Sequence, residues 1–171
     1  MGPGHFGIGL AAKAAAPKAP LWAVLAASEV LDLLSFAFMA VGIEKMGVTQ
    51  TDFGQGIKVI TLGWVPWSHG LLMSLVWSLL VAAMVYLLTK LRRTSAILGL
   101  VVFSHWPLDF IVHPPDLPLL LANSLKVGLG LWTSGPGLIA SMFLEGILLG
   151  GGLAVYLAWR KRKVGTPANP P

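Results

Sequence analysis

The stretch "VVFSHWPLDFIVHPPDLP", residues 101–118, is as apolar as a membrane span in its first half and yet carries several ionisable side chains. His105 and Asp109 are four residues apart, so both would project from nearly the same face of a helix. Pro107 lies between them and cannot donate a backbone hydrogen bond, which predicts a kink. The "HPP" sequence disfavours helical backbone at His113, where we expect the helix to end. Because ionisable groups are costly inside a membrane, this pattern indicates a functional site.

The composition of the chain is typical of an integral membrane protein. Of its 171 residues, 56% are hydrophobic and 11% are charged, whereas a soluble domain carries about a quarter charged residues. Cysteine is absent, which excludes disulfides, thiolate metal ligands and a cysteine nucleophile. The net charge of +5 comes from residues at the ends of apolar runs. Since that distribution is typical of membrane topology, we expect membrane lipid as a partner and no nucleic acid.

Four apolar runs are long enough to cross a bilayer, which takes about 20 helical residues. They cover residues 21–43, 69–89, 95–112 and 137–159. The first 20 residues predict a half-helix that ends near Pro17 and runs antiparallel to the first span. The segment 117–132 is short and interrupted by polar residues, and we interpret it as an interfacial or partly re-entrant helix.

The predicted fold class is therefore an all-α integral membrane protein with four transmembrane helices, an N-terminal half-helix and a short interfacial helix. Residues 1–163 are predicted to form a single helical membrane domain, and residues 164–171 a disordered tail.

The basic residues predict the orientation of these spans. With four crossings, nine basic residues fall on one side of the membrane and three on the other. The larger set is Lys13, Lys18, Lys90, Arg92, Arg93, Arg160, Lys161, Arg162 and Lys163, and the smaller set is Lys45, Lys58 and Lys126. Because basic loops stay in the cytoplasm, both termini are expected to be cytoplasmic.

Acidic residues are concentrated in the predicted spans. Four of the seven lie there, namely Glu29, Asp32, Asp109 and Glu145. At ~1.5 Å per residue, Asp32 is about 18 Å, His105 about 16 Å and Asp109 about 22 Å from the cytoplasmic end of its span. His5 reaches about 18 Å if the half-helix folds back as predicted. These heights predict that the four side chains meet inside the bundle, with His69 and His113 nearer its outer rim.

Imidazole and carboxylate groups at one height favour a site for a divalent metal. Zinc is the first expectation, and manganese and iron are alternatives, because without thiolates only geometry separates them. The structural alternative for His105 and Asp109 is a hydrogen-bonded pair that fixes helix packing. The small residues Gly146 and Gly150, like the stripe that runs from Gly70 through Ser74 and Ser78 to Ala82, predict close helix contacts.

Four short motifs, "GHFGIGLAAK", "ASEVLD", "PWSHGLL" and "FSHWPLD", occur in the order found in a known family. In this respect the chain resembles the YdjM-like membrane-bound metal-dependent hydrolases of bacteria. The resemblance covers residues 4–118 and implies a location in the bacterial cytoplasmic membrane. It also implies the metal ligands His5, Asp32, His69, His105 and Asp109. Where many relatives have a His-Arg pair, this chain has Trp64 and Val65.

Two functions from different classes are compatible with these residues. The first is hydrolysis of an ester or phosphoester, on a small-molecule or lipid-like substrate, by water that a divalent ion activates. Glu29 or Glu145 would then act as the general base or orient a ligand. The second is a non-enzymatic carrier of metal ions or protons, which a homodimer would make large enough for alternating access. A purely structural membrane subunit would need no metal.

Overall fold

The computed structural model describes residues 2–50, 58–121 and 124–165 of the chain. This part is mostly helical, with six α-helices and two short antiparallel ladders among the described residues. The helices are α1 Gly4–Ala15, α2 Leu21–Ser28, α3 Val30–Ala40, α4 Leu71–Thr89, α5 Arg92–Val112 and α6 Gly135–Gly165. The strands are β1 Lys45–Gln50, β2 Lys58–Trp64, β3 Leu117–Pro118 and β4 Lys126–Val127.

Three of these helices, α4, α5 and α6, are long and apolar enough to cross a membrane. The bent pair of α2 and α3 makes a fourth crossing if the two helices count as one span. The predicted half-helix is present as α1. Helix α5 continues through Pro107 and ends at Val112, and His113 has extended backbone with φ −70° and ψ 147°. The helix end predicted from the "HPP" sequence is thus confirmed.

The first predicted span is not continuous, which corrects the sequence-based expectation. Helices α2 and α3 meet at a 60° bend, and Glu29 between them has φ −109° and ψ 5°. The Ser28 hydroxyl donates to the carbonyl of Leu25 at 2.7 Å. Such local side-chain bonds compete with the helical ladder and favour a bend. Hydropathy reports the apolar length of a segment, so it does not detect this break.

The described part of the chain is mostly helical, as predicted, but it also contains strands that the all-α expectation did not include. Strands β1 and β2 form an antiparallel hairpin between α3 and α4, with an irregularity between Lys45 and Gly47. Residues 58–61, "KVIT", are rich in β-branched side chains, which favour extended backbone. Hydropathy windows of span length do not register a hairpin of this size.

In the described part of segment 117–132, short strands and turns take the place of the predicted interfacial helix. Leu117 pairs with Val127 in the β3–β4 ladder, and a single 3₁₀ turn covers Leu131–Thr133. Gly130 has φ 74°, a conformation that side-chain-bearing residues rarely adopt. A Cβ atom on Gly128 would collide with the carbonyl oxygen of Pro114. Proline and glycine therefore direct this segment into turns rather than a helix.

The predicted boundary of the C-terminal tail shifts by a short distance. Helix α6 extends to Gly165, so residues 164 and 165 are helical. The rest of the predicted tail, residues 166–171, lies outside the described residues.

Helix α1 packs on α6 through glycine. A Cβ atom on Gly152 would collide with the carbonyl oxygen of Gly7, and one on Gly7 would collide with the backbone of Leu148. The predicted contact at Gly146 and Gly150 is wrong, since nothing described lies within 4 Å of a Cβ at either position. Glycine allows two backbones to approach closely, and here it fixes the position of the helix that carries His5.

The stripe on α4 does form a helix contact, as predicted. A Cβ atom on Gly99 of α5 would lie 2.9 Å from both the Ala82 methyl group and the Ser78 carbonyl oxygen. An apolar core then joins α2 and α5 through Val24, Leu98 and Val102.

Substitution of Gly152 tests the role of the α1–α6 contact. We expect Gly152→Ala to lower the melting temperature in detergent, because overpacking against backbone costs about 1–3 kcal/mol. The matched control is Gly150→Ala, two residues earlier on the same helix with open space around it. That variant should be neutral or stabilising, since alanine favours helix over glycine by about 1 kcal/mol. Equal melting temperatures for the two variants would contradict the packing described here.

Candidate metal centre

Five side chains from four parts of the chain converge inside the helical bundle. They are His5 on α1, Asp32 on α3, His69 in the turn after β2, and His105 and Asp109 on α5. Two overlapping groups have all their ligand atoms within 4.8 Å of one another. One group is His5, His105 and Asp109, and the other is Asp32, His69 and His105.

The distances within this cluster match those between ligands of one metal ion. His105 Nε2 is 3.2 Å from Asp109 Oδ2, and His69 Nε2 is 3.2 Å from Asp32 Oδ1. His5 Nε2 is 3.3 Å from Asp109 Oδ1. The two longer separations, His69 to Asp109 and His105 to Asp32, are both 3.5 Å. Bonds of about 2.0–2.1 Å to a tetrahedral zinc ion would separate neighbouring ligand atoms by about 3.3 Å.

Two of the histidines approach Asp109 closely without a well-aligned hydrogen bond. Within the described residues, Nε2 of both His5 and His105 is buried and has no hydrogen-bond partner. The two rings stack with their centroids 3.7 Å apart and their planes 7° from parallel. Buried polar atoms are normally paired, and a partner shared between these nitrogens and the carboxylate oxygens 3.2 and 3.3 Å away would pair them all. A metal ion is such a partner.

The break between α2 and α3 orients His105. Its Nδ1 lies 2.8 Å from the backbone carbonyl oxygen of Ser28, the last residue of α2. Carbonyls in the last turn of a helix lack an intrahelical partner, so this one is available to accept the Nδ1–H. The tautomer with hydrogen on Nδ1 leaves the Nε2 lone pair free and directed at the cluster. Metal-binding histidines are commonly held by such a bond to their second nitrogen.

A chain of hydrogen bonds through Ser68, here called the Ser68 relay, orients His69. Its Nδ1 lies 2.8 Å from the Ser68 hydroxyl oxygen, and that hydroxyl donates to Glu44 Oε2 at 2.7 Å. Since the hydroxyl hydrogen is directed at Glu44, its oxygen accepts from the Nδ1–H of His69. Glu44 Oε1 also accepts from the backbone N–H groups of Trp67 and Ser68, at 2.9 and 2.8 Å. The buried Glu44 therefore fixes the turn that presents His69 Nε2 to the cluster.

The role of Glu44 was not predicted from the sequence. It lies 24 residues before its partner Ser68 and outside the long helices, so no helical periodicity relates the two. The serine next to the histidine in "WSHG" is the one local signal, because a neighbouring hydroxyl can bond an imidazole nitrogen.

The two overlapping groups share one histidine and could hold a single ion. His105 belongs to both groups, and its Nδ1 is already bonded to Ser28. A neutral imidazole then offers a single lone pair, which binds one ion. Two carboxylates, Asp32 and Asp109, would balance the charge of one divalent ion. Charge neutrality is important here, because an unpaired charge in an apolar interior is costly.

The centre opens on the side of Asp32. The side chains of His5, His69, His105 and Asp109 are 0–2% exposed, whereas that of Asp32 is 33% exposed. Catalytic metal sites keep one coordination position accessible to water or substrate, and structural sites are closed by protein ligands. Asp32 therefore marks the side from which another molecule can reach the centre.

The remaining predicted residues lie at the edge of the site or away from it. Glu29 lies at the helix break, partly exposed, with its Oε1 3.1 Å from the Ser28 hydroxyl oxygen. Glu145 accepts from the backbone N–H of Gly2 at 3.2 Å, next to the start of α1. His113 Nε2 is 3.9 Å from Asp109 Oδ1, farther than the three other histidines. Glu29 thus lies beside the open side of the centre, whereas Glu145 supports the helix that carries His5.

Comparison of the chain with protein-family models, with curated proteins and with solved structures finds no match. The class of protein is therefore defined by the fold and the centre alone. It is a mostly helical protein with three or four helices able to span a membrane and a buried His/Asp cluster that could hold a metal ion.

Removal of one charged ligand should abolish tight metal binding. Asp109 lies within 3.5 Å of three histidine nitrogens, so Asp109→Asn removes an anionic ligand from the middle of the cluster. We expect it to lower metal affinity by more than the about 10–100-fold typical of changes to outer partners. Glu145→Gln is the matched control: it also neutralises an acid on an apolar helix, its amide oxygen can still accept from the Gly2 N–H, and it should keep its metal. Elemental analysis of protein purified without chelators measures the metal content of each variant. Equal metal content in the two variants would rule out this ligand set.

The relay through Ser68 predicts a smaller effect. In Ser68→Ala, His69 loses the acceptor that holds its ring, and metal affinity should fall about 10–100-fold. Ser35→Ala is the control, because Ser35 is also buried and its hydroxyl has no hydrogen-bond partner in the described part of the chain. Metal titration of the chelated protein in detergent gives both affinities. If Ser68→Ala binds as tightly as Ser35→Ala, the relay does not orient His69.

Proposed function

We propose that the chain is a metal-dependent hydrolase embedded in a membrane, acting on an ester or phosphoester. The observation that carries this proposal is the cluster of five buried or half-buried ligands with one open side. A metal that served packing alone would be enclosed on every side. The ligand atoms are spaced as in a single coordination shell, and one carboxylate is accessible. Both features favour a catalytic site.

Zinc is the proposed ion. Three neutral imidazoles with two carboxylates suit zinc, which binds nitrogen and oxygen ligands at about 2.0–2.2 Å. Manganese and iron accept the same donors, and metal analysis of the purified protein distinguishes the three. The resemblance to the YdjM-like hydrolases implies the same five ligands, and the convergence of these residues supports that assignment.

Each residue at the proposed centre has a separate role. A divalent ion in such a centre supplies Lewis acidity, which makes water a nucleophile near neutral pH and polarises the oxygen of an ester. His5, His69, His105 and Asp109 hold the centre in a dry interior. Asp32 forms its open side. Glu29, one turn before Asp32 and partly exposed at the helix break, would serve as the general base.

The surroundings of the open side favour a lipid-like substrate. Phe36 follows Asp32 by four residues on α3, so the two side chains share a helix face. Phe36 is 61% exposed, so an apolar surface borders the accessible carboxylate. An amphiphile could lie against that surface and present its ester group to Asp32. We further propose that α2 with α3, α4, α5 and α6 make four crossings, with both termini cytoplasmic, as the basic residues indicate.

A carrier of metal ions is the second candidate, and the bent pair α2–α3 is the observation that favours it. Transporters bind their ions at helices broken near the middle of the membrane. The two functions differ in how firmly the ion is held. An enzyme should retain about one ion per chain through dialysis, whereas a carrier should exchange it rapidly. Exchange of bound zinc for an isotope within seconds would favour the carrier.

The proposed general base gives a direct test of hydrolysis. In Glu29→Gln, turnover of micellar carboxylic and phosphate ester substrates should fall about 10²–10⁴-fold, as expected for loss of a general base. Metal content should stay unchanged, because Glu29 is not in either ligand group. Asp32→Asn is the comparison variant and should lose both metal and activity. Activity of Glu29→Gln at the level of the unmodified protein would exclude it as the base, and no hydrolysis by the metal-loaded protein would contradict the enzyme proposal.

A further inference from the structure

A basic cavity lies at the end of the bundle that carries nine basic residues. It has a volume of about 370 Å³ and lies between the end of α1 and the turn that joins α4 to α5. Four exposed cations, Lys18, Lys90, Arg92 and Arg93, line it. No ion pair between these four residues and any carboxylate is present among the described residues. Four like charges around one cavity repel each other unless an anion lies among them.

A second cavity of about 350 Å³ adjoins the first and is lined almost entirely by apolar side chains. It lies between α2 and α4, with Trp22 and Ala26 on one wall and Met84 and Leu88 on the other. Its wall on α4 extends from Leu88 back to Val81, seven residues or about 10 Å of helix. The cavity is therefore an apolar groove about as long as part of one acyl chain.

The two cavities share part of their lining. Lys18, Leu91 and Thr94 line both of them. Thr94 is 6% exposed, and its hydroxyl makes no hydrogen bond with any described residue. An unpaired hydroxyl at the junction of a basic cavity and an apolar groove is suited to a ligand that has an oxygen-rich anion next to a hydrocarbon chain.

We propose that these joined cavities bind one anionic phospholipid. The phosphate of the headgroup lies among Lys18, Lys90, Arg92 and Arg93, near the Thr94 hydroxyl. One acyl chain lies in the groove between Trp22 and Leu88. A free phosphate would fill the basic cavity and leave the groove empty, so the lipid is the ligand that accounts for both cavities.

The lipid site is separate from the candidate metal centre. Thr94 and His105 are eleven residues apart on α5, which is about 16 Å along the helix. A headgroup bound at Thr94 is therefore not the substrate of the centre. The bound lipid would instead join α2 to the α4–α5 hairpin, and α2 supplies the Ser28 carbonyl that orients His105.

Native mass spectrometry of the full chain in detergent tests the proposal with phosphatidylglycerol as the anionic probe and phosphatidylcholine as the neutral one. We expect one phosphatidylglycerol per chain at concentrations that leave phosphatidylcholine unbound. The double variant Arg92→Gln with Arg93→Gln removes two positive charges from the cavity without introducing negative ones. Each cation beside an anionic lipid contributes about fivefold, so this double variant should bind about thirtyfold more weakly.

Two further variants separate a defined site from general attraction of charge. Arg160→Gln with Lys161→Gln removes two cations from the same end of the bundle but outside the two cavities, and should leave binding unchanged. Ala26→Phe fills the groove without altering charge and should weaken phosphatidylglycerol binding at least fivefold.

Each of three results would overturn the proposal. They are equal losses in the two double variants, equal binding of the two lipids, and full displacement of the lipid by millimolar inorganic phosphate. The last would show that the cavity binds a small anion rather than a lipid.

Discussion

The cost of burying the Asp109 carboxylate is the constraint on which the rest of this structure depends. Its side chain is 2% exposed in a bundle of apolar helices. An ionised carboxylate in such a place must be paired or bound to a metal, or it takes up a proton. Three imidazoles surround it within 3.5 Å, and two of them have no hydrogen bond from Nε2 to any described residue. A divalent cation at the centre of the group would satisfy the carboxylate and these nitrogens together.

Other features of the fold serve to hold these ligands in position. The bend between α2 and α3 frees the Ser28 carbonyl for His105, and Glu44 holds His69 through Ser68. The close contact of Gly7 with Gly152 brings α1, and with it His5, against α6. Irregular backbone within apolar surroundings is tolerated where it lines a protein site, and the broken helix meets that condition. Features that interrupt or weaken a regular helix, such as the bend at Ser28 and the glycines of the α1–α6 contact, thus help to hold the candidate metal ligands in position.

The sequence predicts the parts of this structure that depend on one segment at a time. Apolar length locates α4, α5 and α6, and the "HPP" sequence locates the end of α5 at Val112. Helical rise predicts that His5, Asp32, His105 and Asp109 reach a common height, and the structure brings all four together with His69. The hairpin β1–β2, the break at Glu29 and the role of Glu44 were not predicted. Each depends on pairing or bonding between side chains and backbone that hydropathy does not record, and Glu44 also depends on a partner 24 residues away.

X-ray absorption spectroscopy at the zinc edge, on zinc-loaded protein in detergent, tests the central claim most directly. The geometry described here predicts nitrogen and oxygen ligands at about 2.0–2.2 Å, without sulfur. It also predicts outer-shell scattering from three imidazole rings, those of His5, His69 and His105. A spectrum that fits a hydrated ion with one imidazole or none would contradict the account, because the cluster would then not be a metal centre.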